Sequence, residues 1–383
     1  MHTPDLLLAV DQGTTGSTCL LVDQNLRVLA RANREFPQHF PKPGWVEHDP
    51  SELWASVCST IAQVMAMADV DAKRIAAIGI TNQRETSLIW DRKSGQPLHR
   101  ALVWQDRRTA DRCAALKQAG HEARVRELTG LVLDPYFSGT KLGWVLDHVD
   151  GARARAQAGE LAAGTIDTFL VWRMTAGSVH ATEPSNASRT LLWPLAGGGW
   201  SDEMCDLLAV PKQLLPEVRP CNAHFGTTKN VPGLPDGIPI HGIAGDQQAA
   251  LFGQACFRAG EAKCTYGTGA FVMLNTGEQP VMSRHGLLTT VGWQLGETTT
   301  YCLEGSSFMA GAVVQWLRDG LHFFANASEV EAMAAEVPDS GGVVLVPAHA
   351  GLGAPYWRPN ARGLISGLTR GTNRAHIARA ALE

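Results

Sequence analysis

A carboxylate stands at Asp246, between a glycine that ends an apolar run and a segment of helical pattern, in the stretch IPIHGIAGDQQAALF from Ile238 to Phe252. Ile238 to Ile243 reads as a buried strand, Gly245 breaks it, and Gln247 to Phe252 reads as the first turns of a helix. An open α/β sheet gathers its ligands where strand ends meet helix starts. A carboxylate there could take a proton from a hydroxyl or hold a metal ion. It could equally be a plain helix cap. A second carboxylate, Asp11, ends the apolar run from Leu6 and opens the turn Gln12-Gly13-Thr14-Thr15-Gly16-Ser17. Such a tip offers backbone N–H groups and hydroxyls to a phosphate, and Asp11 could help hold a divalent ion. An ordinary hairpin turn is the competing reading. Between two apolar runs lies Thr81-Asn82-Gln83-Arg84-Glu85-Thr86. Its mixture of donors and acceptors suits a ligand bearing several hydroxyls. A surface hairpin with a solvated ion pair would look the same. Tyr136 follows a proline turn and is either a site hydroxyl or a half-buried core residue.

Composition narrows the classes of function. Lys and Arg number 33 against 37 Asp and Glu, a net charge of −4 with no basic block, which argues against a nucleic-acid partner. Neither a signal-peptide core nor an apolar run of membrane-spanning length is evident, so no membrane partner is expected. The eight cysteines are scattered and none forms C-x-x-C, which suggests neither zinc nor a redox pair and fits a reducing, cytoplasmic setting. The helix-based phosphate loop G-x-x-x-x-G-K-[ST] is missing. A homo-oligomer is left open.

The elements that must carry these residues follow from the pattern. Leu6 to Asp11, Thr18 to Val22 and Arg27 to Ala30 predict a β-meander with the Gly/Thr turn at its first tip. Glu52 to Ala68 predicts a helix with Leu53, Val57, Ile61 and Val64 on one face. Ile75 to Ile80 and Ser87 to Trp90 predict strands, and Ala101 to Gln105 a short one carrying Trp104. Gly164 to Met174 reads as a loop then a helix, and Thr182 to Arg189 as a polar loop. Past Phe252 the pattern begins again, with Glu261 to Tyr266, the turn Gly267-Thr268-Gly269, then Ala270 to Asn275 and two further strands. A helix from Gly305 to Leu317 follows, in which Gly311 would let another group approach the backbone. Two such units in 383 residues predict two like-folded α/β domains, residues 1–253 and 254–383, facing each other across a cleft.

With those pieces in place the chain resembles the FGGY family of carbohydrate kinases, and in particular its members that act on glycerol. The resemblance runs the whole length. It is carried by DQGTTGS from Asp11, PKPGWVEHDP from Pro41, GITNQRET from Gly79, GLVLDPYFSGTKLGW from Gly130, NASRT from Asn186, GIAGDQQAALFGQ from Gly242, YGTGAF from Tyr266, MAGAVVQWLRD from Met309 and GLGAPYW from Gly351. It implies an actin-like ATPase fold of two ribonuclease-H-like domains, and transfer of phosphate from Mg²⁺-bound ATP to glycerol. It implies that Asp246 is the general base, that Arg84, Glu85, Tyr136, Asp246 and Gln247 grip glycerol, and that Trp104 and Phe271 lie against its carbons. It further implies that Thr14, Thr15, Gly16 and Thr268 hold the nucleotide phosphates, that Gly311 and Gln315 line the nucleotide, and that Asp11 acts with Asp246 around Mg²⁺. Two departures stand out. Position 18 is Thr where the pattern usually has Arg, which takes a cation from the phosphate end. Family members also continue well past the position of Glu383, so the second domain is expected to be incomplete and the chain by itself to have little or no kinase activity. Action on another polyol or sugar, or a non-catalytic actin-like remnant, are the alternatives.

Overall fold

A computed structural model describes residues 4–383. Its first sheet has six strands: β1 (Leu6–Gln12), β2 (Gly16–Asp23), β3 (Val28–Glu35), β4 (Ile75–Asn82), β5 (His224–Thr227) and β6 (Pro239–Gly245), in the spatial order β5-β6-β4-β1-β2-β3. β1, β2 and β3 form the expected antiparallel meander, while β4 and β6 run parallel to β1. Parallel neighbours need crossovers. The first is made by helix α1 (Pro50–Ala68), capped by the Asp49 carboxylate, which accepts from Ser51 N at 2.8 Å. Leu53, Val57, Ile61 and Val64 are all buried, in one core with Leu6, Leu8, Val10, Ile78 and Ile80. Parallel strands put their C-terminal ends on one edge, so Gln12, Asn82 and Gly245 finish side by side. Helix α2 (Asp246–Gly253) starts at that edge.

The second sheet contains β7 (Ala262–Tyr266), β8 (Ala270–Gly277), β9 (Leu288–Leu295) and β10 (Thr298–Ser307). Its order, β7-β8-β10-β9, is not the plain meander expected. The connection from Gly277 to Leu288 is long enough to skip a strand position. β9 therefore lands on the outer edge and the short turn at Gly296 returns β10 to the middle. Helix α3 (Gly311–Asp319) follows.

Three local expectations are corrected. Leu161–Thr165 is a fully buried strand, where a short Ala/Arg-rich helix from Gly151 to Ala163 and a loop from Gly164 are the sequence expectation; it pairs antiparallel with Ser87–Asp91 in a separate four-stranded sheet. Its small residues LAAGT hide a strand from periodicity, because a strand buried on both faces does not alternate. Strand structure after Ala101 stops at Leu102, short of Trp104. Residues 182–189 form a buried segment with a short helix, Pro184–Ala187, capped by Glu183.

Candidate active site

Both Gly/Thr tips close in the same way. Gly13 N donates to Gly16 O at 2.9 Å in the first, and Gly267 N donates to Gly269 O at 2.9 Å in the second. Between them lies a cavity of about 160 Å³, lined by Thr14, Thr15, Arg84, Glu85, Trp104, Tyr136, Asp246, Gln247, Phe271 and Thr268, with Thr265, Gly267 and Gly269. The seven residues expected around a polyol thus share one wall with three of those expected around phosphates.

Asp246 is the first residue of α2, and Gly245 holds the cap position. One carboxylate oxygen accepts from Gln247 N at 2.7 Å and lies 3.3 Å from Arg84 Nε; a third of the side chain, 34%, remains open. Loss of bulk water raises the Asp246 pKa, with Arg84 opposing. Gly245 is required here: a Cβ would sit 2.8 Å from Arg84 Cγ and Cδ. Asp11, at the end of β1, keeps exposed surface, yet partial desolvation raises its pKa to about 6, the Asp246 charge adding and Arg31 opposing.

The Gln83–Thr86 bend is buried and is no surface hairpin, since its flanking strands belong to different sheets. Glu85 has φ 59°, the left-handed region, unusual for a side chain this size. It is held by Arg189 Nε at 2.6 Å, and its carbonyl by Ser138 Oγ at 2.9 Å. Arg84 Nη1 pairs with Glu304, and Arg84 Nη2 donates to Tyr136 Oη at 3.3 Å. Arg189 Nη2 donates to the other Glu304 oxygen at 2.7 Å. Two guanidinium groups and two carboxylates therefore interlock almost wholly out of water, with only Arg84 and Glu85 reaching the cavity wall. Burial alone would lift the Glu304 pKa, yet Arg189 and Arg84 hold it at about 2. Burial dominates at Glu85 and raises its pKa.

Aromatic rings form one corner of the cavity. Trp104 meets Tyr136 and Phe271 edge-on at 5.8 and 5.9 Å, and its Nε1 donates to Thr14 Oγ1 at 2.8 Å. Gln247 Oε1 is taken up by Lys263 Nζ, which also donates to Thr265 Oγ1 at 2.7 Å. Burial brings the Lys263 pKa down to about 8.

Four expected residues lie off the cavity wall. Asp11 is a neighbour whose charge reaches Asp246. At Gly16 a Cβ would sit 2.8 Å from Arg34 O, so that glycine admits β3. At Gly311 a Cβ would sit 2.7 Å from Gly267 O; the close approach expected there is that of the second tip, whose Gly267 O accepts from Gly311 N at 2.9 Å. Gln315 is exposed on α3. Thr18 pairs across the sheet with Asp11, and its Oγ1 accepts from Asn33 Nδ2 at 2.8 Å. The cation whose field reaches Asp11 is Arg31, two strands over on β3 and in register with Leu20 of β2.

Glu304, Arg189, Lys263 and Gln248 were not singled out from the sequence as site residues. A charge inside an apolar strand was the available signal at Glu304 in YCLEG and at Lys263 in AKCTY. Arg189 stood in NASRT, which is tied to the Arg84 bend through a reciprocal amide pair, Asn82 with Asn186, at 3.0 Å each way.

A two-part α/β cleft, with phosphate-sized tips on both sides and a small polar cavity between them, defines a phosphotransferase of the actin-like class. The chain belongs to the FGGY family of carbohydrate kinases: the N-terminal domain of that family matches residues 6–253 and the C-terminal domain matches residues 262–383. It is 61% identical to the glycerol kinase of Myxococcus xanthus over 379 residues, 98% of this chain and 76% of that relative. It is 58% identical to the glycerol kinase of Alkalilimnicola ehrlichii, again over 98% of this chain and 76% of the relative. Among solved structures it resembles the Plasmodium falciparum glycerol kinase with ADP, at TM-score 0.85 and 36% identity, covering 99% of this chain and 76% of that one. Gluconate kinase from Lactobacillus acidophilus, at TM-score 0.81 and 24% identity over 98% of this chain and 75% of that one, shares the fold. Among the described residues no helix is long and apolar enough to cross a membrane.

Proposed function

We propose that the chain phosphorylates glycerol with ATP, giving sn-glycerol 3-phosphate. The observation that carries this reading is the convergence of Arg84, Glu85, Tyr136, Asp246 and Gln247 with Trp104 and Phe271 around one cavity of about 160 Å³. The cavity is small for a ligand site, which favours a small polyol over a larger sugar. Charged and amide groups would take the hydroxyls, and the aromatic corner the carbon face.

Asp246 is the group placed to take the proton of the attacking hydroxyl. Loss of water raises its pKa, which makes it a stronger base than a free carboxylate. Arg84 lies beside it, and the hydrogen bond from Gln247 N holds its direction. Thr14, Thr15 and Gly16 on one tip and Thr268 on the other are the candidates for the nucleotide phosphates, with Gly311 and Gln315 further along the same side. Asp11 and Asp246 are the candidates for a hard divalent ion, since the Asp246 charge reaches Asp11 and raises its pKa. Mg²⁺ needs only one or two carboxylates when phosphates supply other ligands, so the pair is sufficient. When bound it would neutralise charge on the transferring phosphoryl group. The division into a glycerol-side domain, 1–253, and a nucleotide-side domain, 254–383, is part of the same proposal. Closure of one on the other would exclude the water that competes as acceptor.

The test is ATP-dependent formation of glycerol 3-phosphate by the purified chain, beside xylulose and gluconate as acceptors. Glycerol should be preferred by kcat/KM. Phosphorylation of a sugar acid or pentulose in preference to glycerol would overturn the reading.

A further inference from the structure

Given the roles proposed above for Asp246 and Arg84, on which this rests, we propose that Glu183 is a positioning residue for the reaction. Through Ser185 and Asn186 it sets both the start of α2, which bears Asp246, and the bend that bears Arg84.

Glu183 is wholly buried and lies off the cavity wall. Its Oε1 accepts from Ser185 Oγ at 2.7 Å, Asn186 N at 2.8 Å and Asn186 Nδ2 at 2.9 Å. Its Oε2 accepts from Ser185 N at 2.6 Å and Cys221 Sγ at 2.9 Å. No cation is among these partners. Burial raises its pKa to about 7, with Cys221 and Ser185 opposing and the charge of Asp167 adding. A carboxylate buried without a cation is costly. Capping the short helix Pro184–Ala187 does not call for one, since a neutral Ser or Asn side chain accepts from the same backbone N–H groups. The remaining bonds, to side chains, lead on to the cavity.

One arm runs through Ser185. Its Oγ has its proton committed to Glu183, which turns a lone pair to Gly245 N, accepted at 2.9 Å. Gly245 ends β6 and caps α2, so this bond fixes the backbone one residue before Asp246. The other arm runs through Asn186. Glu183 at its Nδ2 decides which way the amide faces, and the amide then pairs with Asn82 at 3.0 Å in both directions. Asn82 ends β4, and its Nδ2 also donates to Gln83 O at 2.9 Å, inside the bend. Gly245 and Asn82 are register partners across β6 and β4. One carboxylate thus holds two adjacent strand ends. Cys221 Sγ ties the same carboxylate to the second sheet, accepting from Gln294 N of β9 at 3.3 Å.

The two arms can be cut separately. Ser185→Ala should lower kcat for glycerol phosphorylation about tenfold or more, with a smaller change in KM, because the base is displaced while the grip persists. Asn186→Ala should raise KM for glycerol by a similar factor, with a smaller change in kcat. Glu183→Gln, which offers one acceptor oxygen in place of two, should show both effects. A merely structural role would produce no such split. Calorimetric titration with glycerol reads the Asn186 arm without turnover: affinity should fall about tenfold in Asn186→Ala and less than threefold in Ser185→Ala. In ¹⁵N-glycine spectra the Gly245 N–H signal should move in Ser185→Ala and Glu183→Gln. A native chain that neither binds nor phosphorylates glycerol would overturn the functional reading and this role with it. Glycerol binding by the native chain with a Gly245 signal unmoved by Ser185→Ala, or with affinity falling alike in Ser185→Ala and Asn186→Ala, would overturn the role of Glu183 alone.

Discussion

Replacing Glu304 with Gln removes one charge and almost no volume, from the centre of the interlocked group that joins the second sheet to Arg84 and Arg189. The expected cost follows from the structure. A carboxyl held at about 2 against an ordinary 4.5, and wholly buried, has its charged form favoured in the folded state. At roughly 1.36 kcal/mol per pH unit, this is worth about 3 kcal/mol. Breaking a buried pair by removing one partner costs about 3–5 kcal/mol, which agrees. The sign is fixed by the direction of the shift. Because the folded pKa is lowered, the contribution is complete above about 4.5 and is lost as pH falls toward about 2. Urea unfolding of native and Glu304→Gln chains at neutral pH should therefore differ by about 3 kcal/mol, and the gap should close on acidification below about 4.5. Glu304 lies on β10, whereas both arginines belong to the part of the chain before Gly253. Tryptophan fluorescence and circular dichroism should accordingly give transitions further apart in the variant than in the native chain, the sign of two weakly coupled units. A neutral-pH loss below about 1 kcal/mol, or a gap that persists unchanged at low pH, would refute the electrostatic account of this group.

Three further positions carry predictions from the same geometry. Asp246→Asn should lower kcat for glycerol phosphorylation by about 100-fold or more while leaving the fold intact, because Gly245 rather than Asp246 holds the cap position; near-native turnover would remove Asp246 from the base role. Asp11, with its pKa raised to about 6, should give kcat/KM a limb that falls as pH drops below that value, and the limb should vanish in Asp11→Asn. The same raised pKa destabilises the ionised apo protein above about 6, so Asp11→Asn should unfold slightly later at neutral pH, by about 1 kcal/mol or less given the solvent around it; an earlier unfolding transition would contradict this. Gly245→Ala would place a methyl group 2.8 Å from an Arg84 side chain that Glu304 pins, so a loss of about 1–3 kcal/mol and a raised KM for glycerol are expected, read by thermal unfolding and initial rates.

What could be read from the sequence, and what could not, divides along physical lines. Meander tips, the α1 stripe and the Asp246 junction were legible because each is local: turn residues, periodicity and a strand-to-helix break sit within a few positions of one another. The cavity wall was legible only residue by residue, through the resemblance, since nothing local tells that Tyr136 and Phe271 meet the same tryptophan. Glu304 and Arg189 escaped because a buried charge looks from the sequence like an interrupted strand or a polar loop; its meaning lies in the partner, and that partner is 115 positions away. The order of the second sheet escaped for a related reason, as a long connection at Gly277 permits either neighbour and only the packed sheet decides. These two misses have one cause and one consequence. Placing β10 in the middle of its sheet, with the Glu304 face toward Arg84 and Arg189, makes the buried charge group possible. That group holds the bend bearing Glu85 in a left-handed conformation. The nonlocal pairing that sequence patterns cannot register is thus what positions the residues whose chemistry they can.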